Sequence, residues 1–471
     1  MKKKLLSGLL AATMVASLMV GCGSSEETTT EATSEAAVET TEAAEATEDT
    51  NEVTDAATME APSADGWDDS KKIYVYLWDA DGEGKVEETK AHMGDLADYV
   101  EVVNLNVGGQ TPEYITGVNT ALDGTDKYPS VILADEGIAK QWSESDKTAD
   151  LASLGITEAM YANAYSYTVT YGNYNGAQKA LSWQATPGCF IYRADLAKEV
   201  LGTDDPAEVG AAISDWDKFM DVAEQMKAAG YKMVSGTNEI KYPVLNQRQN
   251  PWVSVADDGT ETLQLEDTLV SYIEKAKVLY DNDYTNKANQ WEADWSGAMA
   301  EGDVFGYFGC TWFIGSMEGN CPADAANFGQ WRTTTGPESY YWGGTYLMAG
   351  ADTPNPELTA YFIYMMCCDE TTMYDIAKNK GDFVNNKAVN EKLIADGVGA
   401  RDILGGQNPV ETFAEAAVSI NVQSTYVDGN ILTFVDDAAK AYFAGDYATT
   451  DECIQYIKDQ VKTTYDYIVV E

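Results

Sequence analysis

The chain has 471 residues, with 77 Asp and Glu against 30 Lys and Arg, and a formal net charge of -47 at pH 7. A field this negative repels polyanions, which excludes nucleic acid as a partner. Because 45% of the residues are hydrophobic, the chain has enough apolar material to form a globular core.

Residues 1–21 have the pattern of an export signal. Three lysines at positions 2–4 precede an apolar run at residues 5–20, which is too short to be a membrane-spanning helix. The sequence Met-Val-Gly-Cys that ends at Cys22 resembles a bacterial lipoprotein box, in which the signal is removed and the cysteine carries lipid. An ordinary secretory signal followed by an incidental cysteine is the alternative. Lipid on Cys22 would hold the protein at the extracellular face of the cell membrane.

Residues 22–70 are predicted to form a disordered acidic tether. From residue 23 to residue 70 there are fifteen Asp and Glu and no Lys or Arg, among mostly Thr, Ala and Ser. Such a segment cannot bury enough apolar surface to offset chain entropy, and its charges repel one another. We therefore expect a folded body, residues 71–471, that is held away from a membrane.

The body is long enough for two lobes and shows no metal-binding cysteine pattern. Beyond Cys22, six cysteines remain, none of them in CxxC spacing and none with a histidine partner, so we expect no zinc site. We also expect no other metal and no cofactor. Cys310 and Cys321 could form a disulfide across a short loop. Buried free thiols explain the same cysteine count equally well.

The first part of the body alternates strands and helices. Strands are predicted at residues 72–77, 100–106 and 130–134, with helices at residues 87–99 and 113–122. This alternation indicates an α/β fold with a mostly parallel sheet that is covered on both faces. Ligands of such sheets lie beyond the carboxyl ends of the strands.

Polar and aromatic side chains stand at these strand ends. Trp78 and Asp79 follow the first strand, with Asp81 two residues on, and Asp135 and Glu136 follow the third. We expect these residues to contact a ligand. The alternatives are lobe packing for Trp78 and helix capping or a solvated loop for the acids.

Longer helices and short strands follow. Asp215 and Thr450 are predicted helix starts and Gly230 a helix stop. The predicted helices cover residues 213–229, 265–280, 356–368, 370–378, 430–442 and 451–467, and the strands cover residues 189–192 and 304–308.

Calcium binding and catalysis are disfavoured by the residues themselves. The series that begins at Asp79 and Asp81 is similar to the start of a calcium loop, but Lys90 occupies the position where a bidentate Glu belongs. His92 is the only histidine and falls on a predicted solvent-facing helix, which disfavours Ser-His-Asp and Cys-His chemistry. No carboxylate pair is marked as that of a glycosidase. We predict that the protein is not an enzyme.

The order of several short motifs resembles the carbohydrate-binding extracellular solute-binding proteins of ABC importers, family 1, of which maltose-binding protein is the best known. Tyr-Asn-Gly at residues 174–176 and Tyr-Arg-Ala-Asp-Leu at 192–196 are similar to two of its motifs. A helix start with Asp-Trp at 213–219, and a strand from glycine to tryptophan at 302–312, are similar to two others. The double glycine at residues 343–344, followed by a strand and the Asn-Pro helix start, completes the series.

This resemblance implies a type II periplasmic-binding-protein-like fold, with two α/β lobes that close around a ligand. It places the first lobe at about residues 71–185 and 312–350. The second lobe is then at about residues 186–311 and 351–471, with the last helices divided between the lobes. The chain would first cross between lobes near residues 181–187 and return near Trp312.

A sugar ring has apolar C–H faces and a rim of hydroxyls, so its receptor needs flat aromatic rings and directional polar groups. The chain has 11 Trp and 29 Tyr, and core packing is the ordinary role for any one of them. By its match to the family, Trp312 is expected in the cleft. Tyr341 and Trp342 precede the double glycine and Trp183 lies at the crossing, so they are also candidates. Arg248 and Trp252 are further candidates, from the second lobe.

The sequence therefore predicts a monomeric, membrane-anchored receptor that captures a mono- or oligosaccharide and delivers it to ABC permease subunits. The first alternative is the same fold with a peptide or polyamine as ligand. The second alternative is an adhesion or structural lipoprotein without a ligand.

Overall fold

The computed structural model describes residues 49–471. The predicted signal at residues 1–21, the lipidation site Cys22 and the tether up to residue 48 lie outside this range. Among the described residues, no helix combines the length and the apolar character that crossing a membrane requires.

The strands are β1 (Ile73–Leu77), β2 (Val100–Asn104), β3 (Pro129–Asp135), β4 (Asn173–Tyr174), β5 (Ala177–Gln178), β6 (Leu181–Ser182), β7 (Gly188–Arg193), β8 (Lys232–Val234), β9 (Val253–Val255), β10 (Glu261–Leu263), β11 (Val304–Cys310), β12 (Trp331–Thr334) and β13 (Thr345–Ala349).

The α-helices are α1 (Ala80–Ala91), α2 (Pro112–Leu122), α3 (Glu136–Ser143), α4 (Ser166–Gly172), α5 (Ala194–Val200), α6 (Pro206–Ala212), α7 (Trp216–Ala229), α8 (Lys241–Leu245), α9 (Asp267–Asp281), α10 (Ala293–Ala300), α11 (Phe313–Asn320), α12 (Pro356–Cys367), α13 (Glu370–Lys380), α14 (Lys387–Ala395), α15 (Val410–Ala417), α16 (Asp428–Ala444) and α17 (Thr450–Thr464). Short 3-10 helices lie at Asp69–Lys71, Gly94–Tyr99, Leu151–Leu154, Glu158–Met160, Thr237–Ile240 and Asp402–Leu404.

The first sheet has the strand order β2-β1-β3-β13-β6 and defines the first lobe. Strand β1 is parallel to both β2 and β3, as the alternating pattern predicts, whereas β13 is antiparallel to β3 and β6. The apolar runs of β1 and β3 are buried almost throughout, because helices cover both faces of the sheet. The carboxyl ends of β1 and β3 therefore open at the same edge.

The second sheet has the strand order β12-β7-β11-β8 and defines the second lobe. Strand β7 is antiparallel to both of its neighbours, β11 and β12, and β11 is parallel to β8. Because Trp331 pairs with Arg193 and Thr333 with Ile191, strand β12 belongs to this sheet. The expectation that all of residues 312–350 lie in the first lobe is wrong for this strand.

Helices α12, α13 and α14 pack in the first lobe, although the resemblance places residues 351–471 mainly in the second. Leu358, Phe362 and Met366 of α12 are buried in the same core as Ile73 and Val75. These side chains cover one face of the first sheet, which would otherwise expose its apolar residues. Helices α15, α16 and α17 follow in the core of the second lobe, with α16 and α17 against α9.

The chain first crosses between the lobes at residues 183–187, within the predicted range, because β6 belongs to the first sheet and β7 to the second. It returns at residues 335–344, between β12 and β13. The return was expected near Trp312, but α11 begins at Phe313, and the Phe313 ring contacts Trp295 and Tyr307 of the second lobe. The chain is therefore still in the second lobe at Trp312.

The last part of the predicted tether packs on the first lobe. Met59, Ala64 and Trp67 lie against its hydrophobic core, and the Trp67 ring meets Tyr99 edge-on at 5.3 Å. The prediction that residues 49–70 are disordered is therefore not what the structure shows. Composition misleads here because these few apolar side chains find a surface that is formed by distant parts of the chain.

Helix ends follow local sequence closely. Asp215 caps α7 by accepting a hydrogen bond from the Lys218 N–H, and Gly230 ends that helix in the left-handed conformation, as predicted. The start of α17 differs by one residue, because Thr449 rather than Thr450 forms the capping box with Glu452.

The cysteines of the described region are free and buried. Cys310 and Cys321, which could have formed a disulfide, are both unpaired thiols in the core.

Candidate functional site

A cleft between the two lobes contains two chambers. The first, which we call the Lys85 chamber, has a volume of about 460 Å³ and is lined from both lobes. Its walls include Trp78, Asp79, Asp81, Lys85, Asp135, Gln184, Trp312, Lys380, Asp382 and Arg401.

The second, which we call the Trp291 chamber, has a volume of about 510 Å³. It is lined by residues that include Gln110, Asp135, Glu136, Asn238, Lys241, Tyr242, Trp291, Trp312 and Trp342. Asp135 and Trp312 line both chambers, so the two spaces meet between these side chains. Both volumes lie in the range of small-molecule sites.

Two predicted carboxylates lie at the strand ends of the first lobe and also cap helices. Asp79 accepts a hydrogen bond of 2.8 Å from the N–H of Gly82 at the start of α1. Asp135 accepts one of 2.9 Å from the N–H of Gly137 and one of 2.7 Å from the amide of Gln110. Capping, the alternative that the sequence left open, is thus real, and it fixes both carboxylates at the cleft wall. Burial raises the pKa of Asp135.

Glu136 carries an unusual charge state for a cleft carboxyl group. Burial raises its pKa to about 8, the nearby charges of Asp135 and Asp428 add to the rise, and Arg248 opposes it. The hydroxyl of Ser424, from the second lobe, lies 3.3 Å from the Glu136 Oε1 atom. At neutral pH the group is therefore mostly protonated, and it can donate a hydrogen bond as well as accept one.

Aromatic rings form the second-lobe side of the cleft. Trp312 and Trp342 meet edge-on at 5.0 Å, and the Trp312 indole N–H donates to the Trp342 carbonyl at 3.3 Å. Trp342 also stacks on Tyr242 at 4.9 Å. Gly344, which follows, has φ 108°, and a Cβ there would lie 3.3 Å from Thr186 Oγ1 and 3.3 Å from the Tyr341 hydroxyl. The turn that presents Trp342 therefore requires glycine.

Trp291 was not predicted, and it is the most exposed ring at the cleft. Its side chain is 54% exposed, and its backbone has φ 74°, which is rare for a bulky residue. Its ring stacks on that of Trp312 at 5.9 Å and contacts Trp295 at 5.0 Å. The loop between α9 and α10 holds it in this conformation, and no hydrophobic period in the sequence marks that position.

A buried ion pair forms part of the Lys85 chamber. The side chains of Lys85 and Asp382 are 5% and 3% exposed, and their charged atoms are 3.4 Å apart. Asp382 also accepts hydrogen bonds from the Phe383 N–H at 2.9 Å and the Trp183 indole N–H at 3.4 Å. With its amide oriented to accept from the Thr345 N–H, Gln184 donates to the same carboxylate at 2.9 Å. Neither charged residue was predicted, because Lys85 lies on α1 and Asp382 lies just after α13, far apart in sequence.

Two predicted contact residues are instead core residues. Trp183 is 2% exposed and packs in the core of the first lobe, where its indole N–H donates to the Asp382 carboxylate. Trp252 is fully buried under the guanidinium of Arg248, which lies 4.1 Å from the ring centroid. Both rings are too deeply buried to meet a ligand in the cleft.

The remaining candidates meet away from the two chambers. Arg248 and Tyr341 line a smaller cavity of about 180 Å³ together with Glu136. Arg248 forms an ion pair with Asp428. Tyr341 is 4% exposed, and its hydroxyl donates to Tyr346 at 3.0 Å. These two residues therefore lie next to Glu136 but line neither chamber.

One cluster of potential metal ligands lies outside the cleft, where α1 meets α13. The calcium-like series after Asp79 is helical, as part of α1, and has no loop geometry. Glu88, His92 and Asp375 lie close together at the surface. His92 pairs with Asp375 at 3.2 Å, and Glu88 accepts from the Asn379 amide at 2.8 Å. This group forms a polar contact between α1 and α13.

Solved structures share this fold at low sequence identity. A crystal structure of an extracellular solute-binding protein of family 1 has a TM-score of 0.70 and 15% identity, and covers 82% of this chain and 99% of its own. The galacto-N-biose-/lacto-N-biose I-binding protein from Bifidobacterium longum, in complex with lacto-N-biose, has a TM-score of 0.65 and 14% identity, over 84% of this chain and 97% of its own. The sugar-binding protein MalE from Xanthomonas citri has a TM-score of 0.66 and 13% identity, over 83% and 96%.

A search of curated protein sequences gives no match. The profile of the bacterial extracellular solute-binding proteins matches residues 89–398, which include strands β2 to β13. The two-lobed fold predicted from the sequence is thus confirmed. The chain belongs to the bacterial extracellular solute-binding protein family.

Proposed function

We propose that the protein is the substrate-binding component of an ABC importer and captures a mono- or oligosaccharide between its lobes for delivery to the permease. One observation carries the proposal: aromatic rings and carboxylates from both lobes line two chambers that meet at Trp312 and Asp135. In this proposal the protein binds its ligand and does not catalyse a reaction.

The chemistry of the walls suits a polyhydroxylated ring. The faces of Trp78, Trp312 and Trp342 can lie against the C–H faces of a sugar. Asp79 and Asp135 can accept hydroxyl hydrogens in charge-assisted bonds, and the neutral form of Glu136 can donate to a ring or hydroxyl oxygen. The lacto-N-biose ligand of the Bifidobacterium longum structure is consistent with this class of ligand.

The charge balance of the Lys85 chamber argues against a polyamine. Asp79, Asp81 and Asp135 line it, but so do the cations Lys380 and Arg401. A polycation in this chamber would lie close to these positive groups and would be repelled by them. We therefore do not propose a peptide or polyamine ligand, or an adhesive protein without a ligand. The screen described below would detect binding of peptides or polyamines, or the absence of any binding.

Attachment to the membrane belongs to the same proposal. We infer that Cys22 carries lipid and holds a monomer at the extracellular face of the cell membrane, because the preceding sequence has the pattern of an export signal that ends in a lipoprotein box. Mass spectrometry of the protein purified from membranes would test this. An intact peptide spanning residues 19–22, or an unmodified Cys22, would contradict it.

A thermal-shift screen over neutral saccharides, peptides and polyamines tests the ligand class, because a ligand that binds only the folded state raises its melting temperature. The proposal expects stabilisation by at least one saccharide. Small-angle scattering with and without that saccharide should then show a smaller radius of gyration in the bound state, since only a ligand that favours the closed state can shift the lobes. Stabilisation by polyamines or peptides alone, or by nothing in the screen, would contradict the proposal.

A further inference from the structure

The segment that precedes β1 is attached to the body beside the crossing between the lobes. At its start, the Asp49 carboxylate forms an ion pair of 2.6 Å with Lys387, the first residue of α14. The same carboxylate accepts a hydrogen bond of 2.8 Å from the N–H of Ser166 at the start of α4. The two charged side chains are 9% and 8% exposed, so this is a buried contact and not a surface ion pair.

The segment continues in contact with the same part of the first lobe. Thr54 exchanges two hydrogen bonds with Asn163: its N–H donates to the Asn163 side-chain oxygen at 2.9 Å, and its carbonyl accepts from the Asn163 amide at 2.9 Å. The Ala57 N–H donates to the Ala159 carbonyl at 2.8 Å. This is a defined path, held by backbone and side-chain hydrogen bonds.

One contact reaches the second lobe. The side-chain amide of Asn51 donates to the carbonyl of Ala414 at 3.3 Å. Ala414 lies on α15, which packs against β7 of the second sheet and against α14 of the first lobe. Asp49 and Asn51 thus hold elements on both sides of the crossing.

The residues that Asp49 holds also support the crossing segment directly. Tyr165 precedes Ser166, its N–H donates to the Asn385 side chain at 3.0 Å, and its ring lies 5.5 Å from the Lys387 ammonium. Asn385 is buried, and its amide donates to the Ser182 carbonyl at 3.1 Å while its own N–H donates to the Trp183 carbonyl at 2.8 Å. One layer of side chains therefore separates Asp49 from the crossing segment.

We propose that Asp49 latches the acidic N-terminal segment to the residues that support the crossing between the lobes, so that docking of this segment and ordering of the crossing are energetically coupled. The chain that precedes Asp49 then joins the body beside the hinge and not at the outer end of a lobe. Because coupling is reciprocal, any change of the crossing on lobe closure alters how tightly the segment is held. This inference does not depend on the identity of the ligand.

Hydrogen exchange with mass spectrometry on the full-length protein tests the coupling. Lys387→Met keeps the apolar stem over Tyr165 but leaves the buried Asp49 carboxylate without its ion-pair partner. We expect amide exchange to become faster by about tenfold or more in peptides that cover residues 50–58, 165–168 and 182–185. Lys392→Met is the matched control, since Lys392 lies on the same helix in an exposed ion pair with Asp396. Amide exchange in this variant should equal that of the wild type.

Two results would overturn the proposal. Faster exchange confined to residues 50–58 would mean that the segment is a passive attachment, and no change in any of the three regions would mean that the ion pair holds nothing. If Lys387→Met does not fold, Asp49→Asn gives the same three readings, because it changes the segment alone and leaves α14 intact.

Discussion

The ring of Trp291 stacks on that of Trp312, with centroids 5.9 Å apart and planes inclined by 23°. Trp312 lies just after a buried strand of the second sheet and immediately before α11, whereas Trp291 belongs to a loop and is 54% exposed. A large side chain on a left-handed backbone lowers the stability of the fold. Such strained conformations are frequent at ligand sites. The pair therefore forms the boundary of the chamber that we expect a sugar to enter.

Trp291→Gly separates a binding role for this residue from a structural one. Glycine adopts φ 74° without strain, and this relief offsets part of the unfolded-chain entropy that glycine adds, so the variant should melt close to the wild-type temperature. Loss of an exposed ring from the chamber should weaken the affinity for the saccharide found in the screen by about tenfold or more. Calorimetry gives the affinity and differential scanning calorimetry gives the stability.

Tyr174→Ala is the control for this variant, because Tyr174 is an exposed aromatic residue in a short hairpin that lines neither chamber. Its affinity should equal that of the wild type. An unchanged affinity in Trp291→Gly would remove that ring from the site, and a large fall in melting temperature would mean that the ring is needed for folding.

The Lys85–Asp382 ion pair should contribute strongly to stability because both groups are buried. Lys85→Met leaves the Asp382 carboxylate without its cation and should lower the free energy of unfolding by about 3 kcal/mol. Asp382→Asn in the same chain should restore part of the loss, because it removes the unpaired charge. Denaturant unfolding of the two single variants and the double variant measures this coupling.

Lys90→Met provides the comparison on the same helix, since Lys90 pairs with a half-exposed Glu87. This substitution should lower the free energy of unfolding only slightly. Equal effects of Lys85→Met and Lys90→Met would show that burial adds nothing to the first ion pair. Strict additivity of Lys85→Met and Asp382→Asn would show that the two charges do not interact.

Glu136 should make stability fall as pH rises. Folding raises its pKa from 4.5 to about 8, so the folded state binds this proton more tightly than the unfolded state does. The resulting stabilisation is complete below pH 4.5 and is lost as pH rises through about 8. We therefore expect Glu136→Gln to match the wild type near pH 4.5 and to melt several degrees higher near pH 9.

Burial raises the pKa of Asp135 and of Asp428 as well, and both groups interact with Glu136, so the difference between the two proteins reports the titration of Glu136 together with its effect on these two neighbours. Glu113→Gln, at an exposed site in the first turn of α2, is the control and should run parallel to the wild type. A Glu136→Gln curve that is also parallel to the wild type from pH 5 to 9 would rule out the raised pKa.

Part of the cleft could be predicted because it follows from the order of strands. The runs that form β1 and β3 are apolar, bounded and separated by helices, so they predict neighbouring parallel strands. Trp78, Asp79 and Asp135 follow them directly and therefore had to lie at one edge of the sheet. Here the chemistry of the site is close in sequence to the elements that position it.

The rest depends on contacts between distant segments. Lys85 meets Asp382 only because α1 and α13 pack together, and the spacing of residues along the chain does not contain that contact. Burial also could not be read from residue type: Trp183 and Trp252 are core residues, whereas the unpredicted Trp291 is exposed. A single aromatic residue in a loop gives no periodic signal from which its face could be assigned.

The most direct test of the account is isothermal titration calorimetry of the wild type and of Trp312→Ala with neutral mono- and oligosaccharides, peptides and polyamines. The account predicts saturable binding of at least one saccharide to the wild type and a loss of about a hundredfold or more in Trp312→Ala, with its circular dichroism spectrum unchanged. Equal saccharide affinity in the two proteins would contradict it, and so would binding of peptides or polyamines alone.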